Sequence, residues 1–237
     1  MIFDNLVEIV HKDDFPELET ALDEPDGLLA YGFVLTPEIV LSAYQKTIFP
    51  WFEQGQPVLW WSPQKRALIE PENLRISRSL RKSLRNRGYS VSFDKQFHQV
   101  INHCATVKRS QQHTTWITKE MVQCYCRLHE MNRAHSIEVW LNNELVGGLY
   151  GLIINKTFCG ESMFSLATDA SKVALSALAF NAFKLNFELI DCQVMNPYLE
   201  SMGAKEKSGH WYKERLEQQS SQQKLLTPCV LPLPFGD

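Results

Sequence analysis

Glu161, Asp191 and Gln193 are polar residues set where a core would be apolar. Glu161 lies in Cys159-Gly160-Glu161-Ser162-Met163-Phe164, and the other two in Leu189-Ile190-Asp191-Cys192-Gln193-Val194. Read as a strand, the second run alternates its side chains, so Asp191 and Gln193 share one side and Cys192 takes the other. A carboxylate beside a neutral amide suits transfer of an acyl group that is already activated. Such an ester needs no covalent enzyme intermediate when an amine is brought to its carbonyl in the right orientation, and a free α-amine of pKa about 7.7–8.0 is partly neutral near neutral pH. Gln193 can accept a hydrogen bond from that amine, and Asp191 can polarise the pair or pass the proton on. The bland alternative is a satisfied structural network, the commoner fate of buried polar groups.

Other chemistries lack their signals. The histidines at 11, 98, 103, 113, 129, 135 and 210 form no spacing that places two metal ligands on one face, so no metal is expected. No Gly-x-x-x-x-Gly-Lys-Ser/Thr loop and no strand-linked Gly-x-Gly-x-x-Gly occurs. Gly160-Glu161-Ser162 lacks the second glycine of a nucleophile elbow. The cysteines at 104, 124, 126, 159, 192 and 229 show neither Cys-x-x-Cys nor a dense disulfide spacing, which predicts reduced thiols.

The elements that must position the acids and the amide follow from local signals. Asn142-Asn143 and Asn155-Lys156 join three strands, Ile137 to Leu141, Leu145 to Ile154 and Thr157 to Phe164, into an antiparallel meander. Gly147, Gly148 and Gly151 predict a bulge or a close backbone approach in its middle strand. A helix follows, with Leu175, Leu178, Ala182 and Leu185 on one face and Val173, Ala177, Phe180 and Phe183 around much of the rest, so protein should wrap it. With the strand through Asp191 this gives a β-β-β-α-β run and an α+β domain.

Upstream, Thr36-Pro37-Glu38 predicts an N-cap and a helix to about Lys46. Five large aromatics, Phe49, Trp51, Phe52, Trp60 and Trp61, crowd into the next stretch and suit either a small core or a ring that stacks on a nucleobase. The composition changes at Ser62-Pro63, which predicts a small N-terminal α/β domain over 1–62 and a second domain over 63–237. Ser77 should cap a helix that turns Leu80 and Leu84 inward and stops at Gly88. A polar loop, Lys108 to Thr115, leads to Trp116, and Thr118 caps another helix.

With 237 residues and 44% hydrophobic content the chain can bury a sizeable core. No apolar run approaches the roughly 20 residues of a bilayer span, and the start lacks a signal peptide, so no membrane association and a cytoplasmic place are expected. A formal charge of -3 argues against indiscriminate polyanion binding. Yet Arg75, Arg78, Arg81, Lys82, Arg85 and Arg87 fall in one acid-free segment, which predicts phosphate contact in place of an ordinary solvated face.

Several runs carry a resemblance: Ala43-Tyr44-Gln45 through Phe49-Pro50-Trp51-Phe52, Leu59-Trp60-Trp61-Ser62-Pro63, Thr115-Trp116-Ile117-Thr118, His135 to Trp140, Glu144 to Gly148, and the two runs quoted first. In this order the sequence closely resembles the bacterial leucyl/phenylalanyl-tRNA–protein transferases over nearly everything after Glu24. The resemblance implies a C-terminal domain of acetyltransferase-like (GNAT-like) fold with a mixed, mostly antiparallel sheet, working as a monomer without coenzyme A, ATP or any other cofactor. It implies transfer of Leu or Phe, and less readily Met, from tRNA to a protein with N-terminal Arg or Lys, creating an N-degron for proteolysis. By motif, Gln193 would bind the attacking amine, Asp191 would support the proton relay and Glu161 would order the aminoacyl end. Trp51 and Trp116 would bracket the terminal adenosine. Leu149, Phe158, Met163, Leu175, Leu178 and Ile190 would line the side-chain pocket, and the six cations would meet tRNA phosphates. The sequence departs from the family at Phe33-Val34, where Gly-Asp is usual, at Thr47 and Thr115, where glycine is common, and at Tyr198, where histidine is frequent. Leu149 and Leu178 stand where other members carry Met or Phe. A coenzyme A-dependent acetyltransferase would want a glycine-rich loop, and Ser165 to Ser171 has no glycine. A non-catalytic RNA-binding module would leave Asp191 and Gln193 without work.

Overall fold

A computed structural model describes residues 6–107, 116–219 and 224–235, so the loop 108–115 and its Thr115 lie outside the described residues. Among the described residues the chain forms seven α-helices and two mixed sheets.

The first sheet holds β1 (Val7–Ile9), β2 (Leu28–Gly32), β3 (Phe49–Pro50) and β4 (Val58–Trp61) in the order β1-β2-β4-β3, with β1 parallel to β2 and the other pairs antiparallel. Helix α1 (Pro37–Gln45) lies between β2 and β3, started by Thr36, whose hydroxyl accepts from the Ile39 N–H. Its buried stripe is Ile39, Val40, Ala43 and Tyr44. The second sheet begins at β5 (Lys65–Ile69).

That sheet runs β11-β5-β10-β9-β8-β7-β6-β12. Its strands are β6 (Ser90–Phe93), β7 (Ala134–Leu141), β8 (Glu144–Ile154), β9 (Thr157–Ser165), β10 (Leu189–Asp191), β11 (Lys205–Ser208) and β12 (Cys229–Leu231) beside β5. Only β9 and β10 pair in parallel. Asn142 and Asn143 both have positive φ (52° and 65°), the backbone that a two-residue hairpin needs.

Helices cover both faces. Helices α3 (Phe97–Thr106) and α4 (Lys119–Glu130) pack with α1 against Tyr150, Leu152 and Cys159, a core that also takes in Trp60 and Phe49 of the first sheet. On the opposite face α2 (Arg78–Asn86) and α5 (Ala170–Phe180) enclose Ile137, Val139, Leu149 and Phe158. Two short helices, α6 (Pro197–Ser201) and α7 (Gly209–Gln218), flank β11. The glycines of β8 work as close approaches: a Cβ on Gly147 would sit 2.5 Å from the Ala170 Cβ, and one on Gly151 2.2 Å from the Cys159 carbonyl oxygen.

One packing expectation fails. Helix α5 ends at Phe180, and both Phe180 (57%) and Phe183 (98%) are exposed, so protein wraps only part of its circumference. A periodicity drawn past the true end of a helix assigns faces to residues that are no longer helical.

Candidate active site

The site arises where a strand pair parts. Strand β10 matches β9 only over Leu189↔Thr157, Ile190↔Phe158 and Asp191↔Cys159, while β9 continues for six more residues to Ser165. A β-bulge follows at once on β9: Tyr150 faces Ser162 and Gly151 faces Gly160, which leaves Glu161 as the extra residue. Between the freed end of β9 and the segment after β10 opens a cleft of about 710 Å³. Gly160, Glu161, Ser162 and Met163 line one side, and Cys192, Gln193 and Asn196 to Leu199 the other.

Gln193 departs from the strand alternation predicted above. It lies beyond β10 with φ +64°, and the Val194 N–H donates to the Cys192 carbonyl at 2.9 Å, so Gln193 is the centre of a γ-turn. That conformation is strained for a residue with a side chain. Three contacts hold it. The Gln193 N–H donates to Asp191 Oδ1 at 2.8 Å, and β5 grips the backbone on either side, Cys192 N to Ala67 O at 2.8 Å and Ala67 N to Gln193 O at 3.0 Å.

Asp191 is fully buried and does not line the cleft. Arg66 of β5, 1% exposed, takes it in a fork: Nε to Oδ1 at 2.8 Å and Nη2 to Oδ2 at 2.7 Å. Its remaining Nη1 donates to the Thr47 carbonyl at 3.0 Å, and its guanidinium lies over the rings of Phe49 (4.7 Å) and Tyr212 (5.1 Å). Burial, the largest single influence, pulls the guanidinium pKa down, but the Asp191 charge and its hydrogen bonds, with smaller contributions from Tyr212 and Cys159, together outweigh it and the net shift is upward. Both oxygens of Asp191 are occupied.

The amide of Gln193 reaches Glu161 through a tyrosine. Gln193 Nε2 donates to Tyr44 Oη at 3.1 Å, and Tyr44 Oη donates a short hydrogen bond to Glu161 Oε1. Burial pushes the Glu161 carboxyl up to about 8, against the opposing bond from Tyr44. Burial, and then the Glu161 charge, lift the Tyr44 phenol well above its ordinary value, so it stays protonated and relays hydrogen bonds. The arrangement offers a neutral amide at the cleft, backed by a carboxyl that can change charge near neutral pH.

The structure gathers the six apolar residues named from the sequence: Leu149, Phe158, Met163, Leu175, Leu178 and Ile190 all line the cleft, with Tyr198 beside them. Trp51 and Trp116 are not among its lining residues. Trp51 is 45% exposed and tilts against Trp61 at 5.8 Å, with Trp61 Nε1 donating to the Trp51 carbonyl at 2.7 Å. Trp116 is half-buried against the core of α3 and α4. Arg75, Arg78, Arg81, Lys82, Arg85 and Arg87 are all exposed on and around α2, on the face away from Leu80 and Leu84. Among the described residues no three of His, Cys, Asp and Glu gather into a metal site, all six cysteines are free, and no helix is long and apolar enough to cross a membrane.

Sequence reasoning gave no role to Tyr44 or Arg66. Tyr44 had a faint signal, a phenol inside the buried stripe of α1 whose hydroxyl must find a partner. Arg66 had almost none, because one cation at the start of an apolar strand reads as a solvent-facing end, and its partner lies 125 residues away.

Residues 68–217 match the family described as leucyl/phenylalanyl-tRNA protein transferase, and residues 34–64 match the N-terminal domain of the same family. The leucyl/phenylalanyl-tRNA–protein transferase of Aliivibrio fischeri is 46% identical over 227 residues, 96% of this chain and 94% of the relative. That of Stutzerimonas stutzeri is 54% identical over 191 residues, 81% and 84% of the two chains. Among solved structures, the L-PGS of Bacillus licheniformis overlaps at a TM-score of 0.36 and 10% identity, over 89% of this chain and 68% of that one, too slight a likeness to describe the fold. On the extent and identity of the sequence matches, the chain belongs to the leucyl/phenylalanyl-tRNA–protein transferase family of aminoacyltransferases.

Proposed function

We propose that this chain moves Leu or Phe, and less readily Met, from its tRNA to the α-amine of a protein beginning with Arg or Lys. The observation that carries the reading is the meeting of Gln193, Tyr44 and Glu161 at the lip of an apolar cleft. The donor side chain sits among Leu149, Phe158, Met163, Leu175, Leu178 and Ile190, where branching at Cβ fits worse. The amine nitrogen attacks the ester carbonyl, the bond to the ribose 3′-oxygen breaks, and the proton lost by the amine ends on that oxygen. Because Gln193 Nε2 is engaged by Tyr44, its Oε1 is the atom left to accept from the amine. Glu161 buffers that proton through Tyr44, since its pKa of about 8 matches a free α-amine.

Asp191 acts differently in this reading. Its oxygens are filled by Arg66 and the Gln193 N–H, which favours a positioning role over proton acceptance. Trp51 and Trp116 bracket the terminal adenosine, and the cations around α2 meet tRNA phosphates. The enzyme works in the cytoplasm as a monomer with no cofactor, its product carries an N-degron, and its residues 63–237 form a GNAT-like catalytic domain beside a small domain of 1–62.

The test is transfer of radiolabelled Leu from charged tRNA to a peptide starting with Arg and to the same peptide acetylated at its N-terminus. Label on the free peptide alone is expected. Label on both, or on neither while charged tRNA still binds, would overturn the assignment.

A further inference from the structure

Among the described residues the cations on and around helix α2 have no carboxylate partners. Arg75, Arg78, Arg81, Lys82, Arg85 and Arg87 are all exposed. Arg81 and Arg85 share a partner of another kind. The Arg81 guanidinium lies 4.6 Å and that of Arg85 5.6 Å from the centre of one ring, Phe235.

The ring is brought there by the fold. Strand β12 pairs with β6, its Leu231 is buried, and Leu233 packs on the core of α5. Asn181 Nδ2, at the end of α5, donates to the Pro232 carbonyl at 3.0 Å, which turns the segment back over α2. Phe235 stays 40% exposed, so this ring is not stowed in the core. Arg81 and Arg85 are one helical turn apart, and like charges at that spacing repel. The ring they share offsets the repulsion and restrains both guanidinium groups, whose exposed N–H edges can fork onto a phosphate.

We propose that Phe235 is a positioning residue of the tRNA-binding face: it pre-orders Arg81 and Arg85 so that they meet the phosphodiester backbone edge-on. This rests on the reading that α2 grips tRNA phosphates. A flexible arginine loses side-chain freedom when it binds, and one already stacked has less to lose.

The experiment measures KM and kcat for Leu-tRNA in the wild type, F235A, F235W, R81Q/R85Q and the triple variant F235A/R81Q/R85Q. F235A is expected to raise KM about 3- to 5-fold, the worth of an exposed cation–π pair, with kcat at saturation within about twofold. F235W should restore the wild-type KM, and the triple variant should bind no worse than R81Q/R85Q. An unchanged KM in F235A, a lowered one, or an effect that adds in full to R81Q/R85Q would overturn the role of Phe235. If R81Q/R85Q itself leaves KM unchanged, the phosphate reading of α2 fails first. Wild-type binding to phosphatidylglycerol vesicles that R81Q/R85Q abolishes, with tRNA KM indifferent to every variant, would assign the face to a lipid surface and overturn both.

Discussion

Two charged regions of this molecule are built on opposite principles. Around Asp191 every charge is buried and held: Arg66 forks onto the carboxylate, Thr47 and Gln193 complete the set, and the pair is almost wholly removed from solvent. Around α2 every charge is exposed and, among the described residues, left without an anion. A buried pair contributes little net stability, because desolvation offsets most of the Coulomb gain, but it fixes geometry. An exposed, unpaired patch fixes little geometry but attracts a polyanion at long range, in a way that salt screens. Under the proposed function, chemistry falls to the first region and grip to the second.

The largest effect should come from breaking the buried pair on one side. Arg66→Met strands a carboxylate in the core and should cost about 3–5 kcal/mol, seen as a lower urea midpoint; a loss below about 1 kcal/mol would mean that Asp191 is less enclosed than its contacts indicate. Next comes the amide. Gln193→Ala should lower kcat by about 10²–10³-fold while KM for Leu-tRNA stays within about twofold, as expected for a group that acts on the reacting atoms alone. A raised KM with normal kcat would move Gln193 into the binding surface.

The third effect depends on pH. The Glu161 carboxyl is raised from 4.5 to about 8 in the fold, so the native state holds a proton that the unfolded chain has lost between those values. Its contribution to stability is complete below about 4.5 and is lost as pH rises to about 8. Glu161→Gln stays neutral throughout, so its urea midpoint should gain on the wild type across that window; parallel curves would show that Glu161 is ionised in the fold. The smallest effect concerns Thr47, which has φ +63° and a buried hydroxyl without a hydrogen-bond partner. Thr47→Gly removes both penalties and should raise stability by about 1 kcal/mol in chemical denaturation; a loss would show that the Thr47 side chain packs usefully beside Ser62.

Much of this was legible in the sequence because it is local. The caps at Thr36, Ser77 and Thr118 and the Asn142-Asn143 turn each follow from residues within a few positions of one another, and each is present. The apolar lining was legible through the motifs. What escaped was everything that depends on distant partners. Strand alternation carried past Asp191 put Gln193 on the wrong footing, since the γ-turn is imposed by β5, which precedes it by more than 120 residues. Tyr44 and Glu161 meet across 117 residues. No window on the sequence contains both.

The most direct test of the division between the regions is a single-turnover measurement of Leu transfer by the wild-type enzyme, titrated with charged tRNA at about 50 and about 200 mM salt. The rate constant at saturation should not change, while the half-saturating tRNA concentration rises steeply with salt. A saturating rate that itself falls with salt would contradict the account, because the charges that do the chemistry would then be open to solvent.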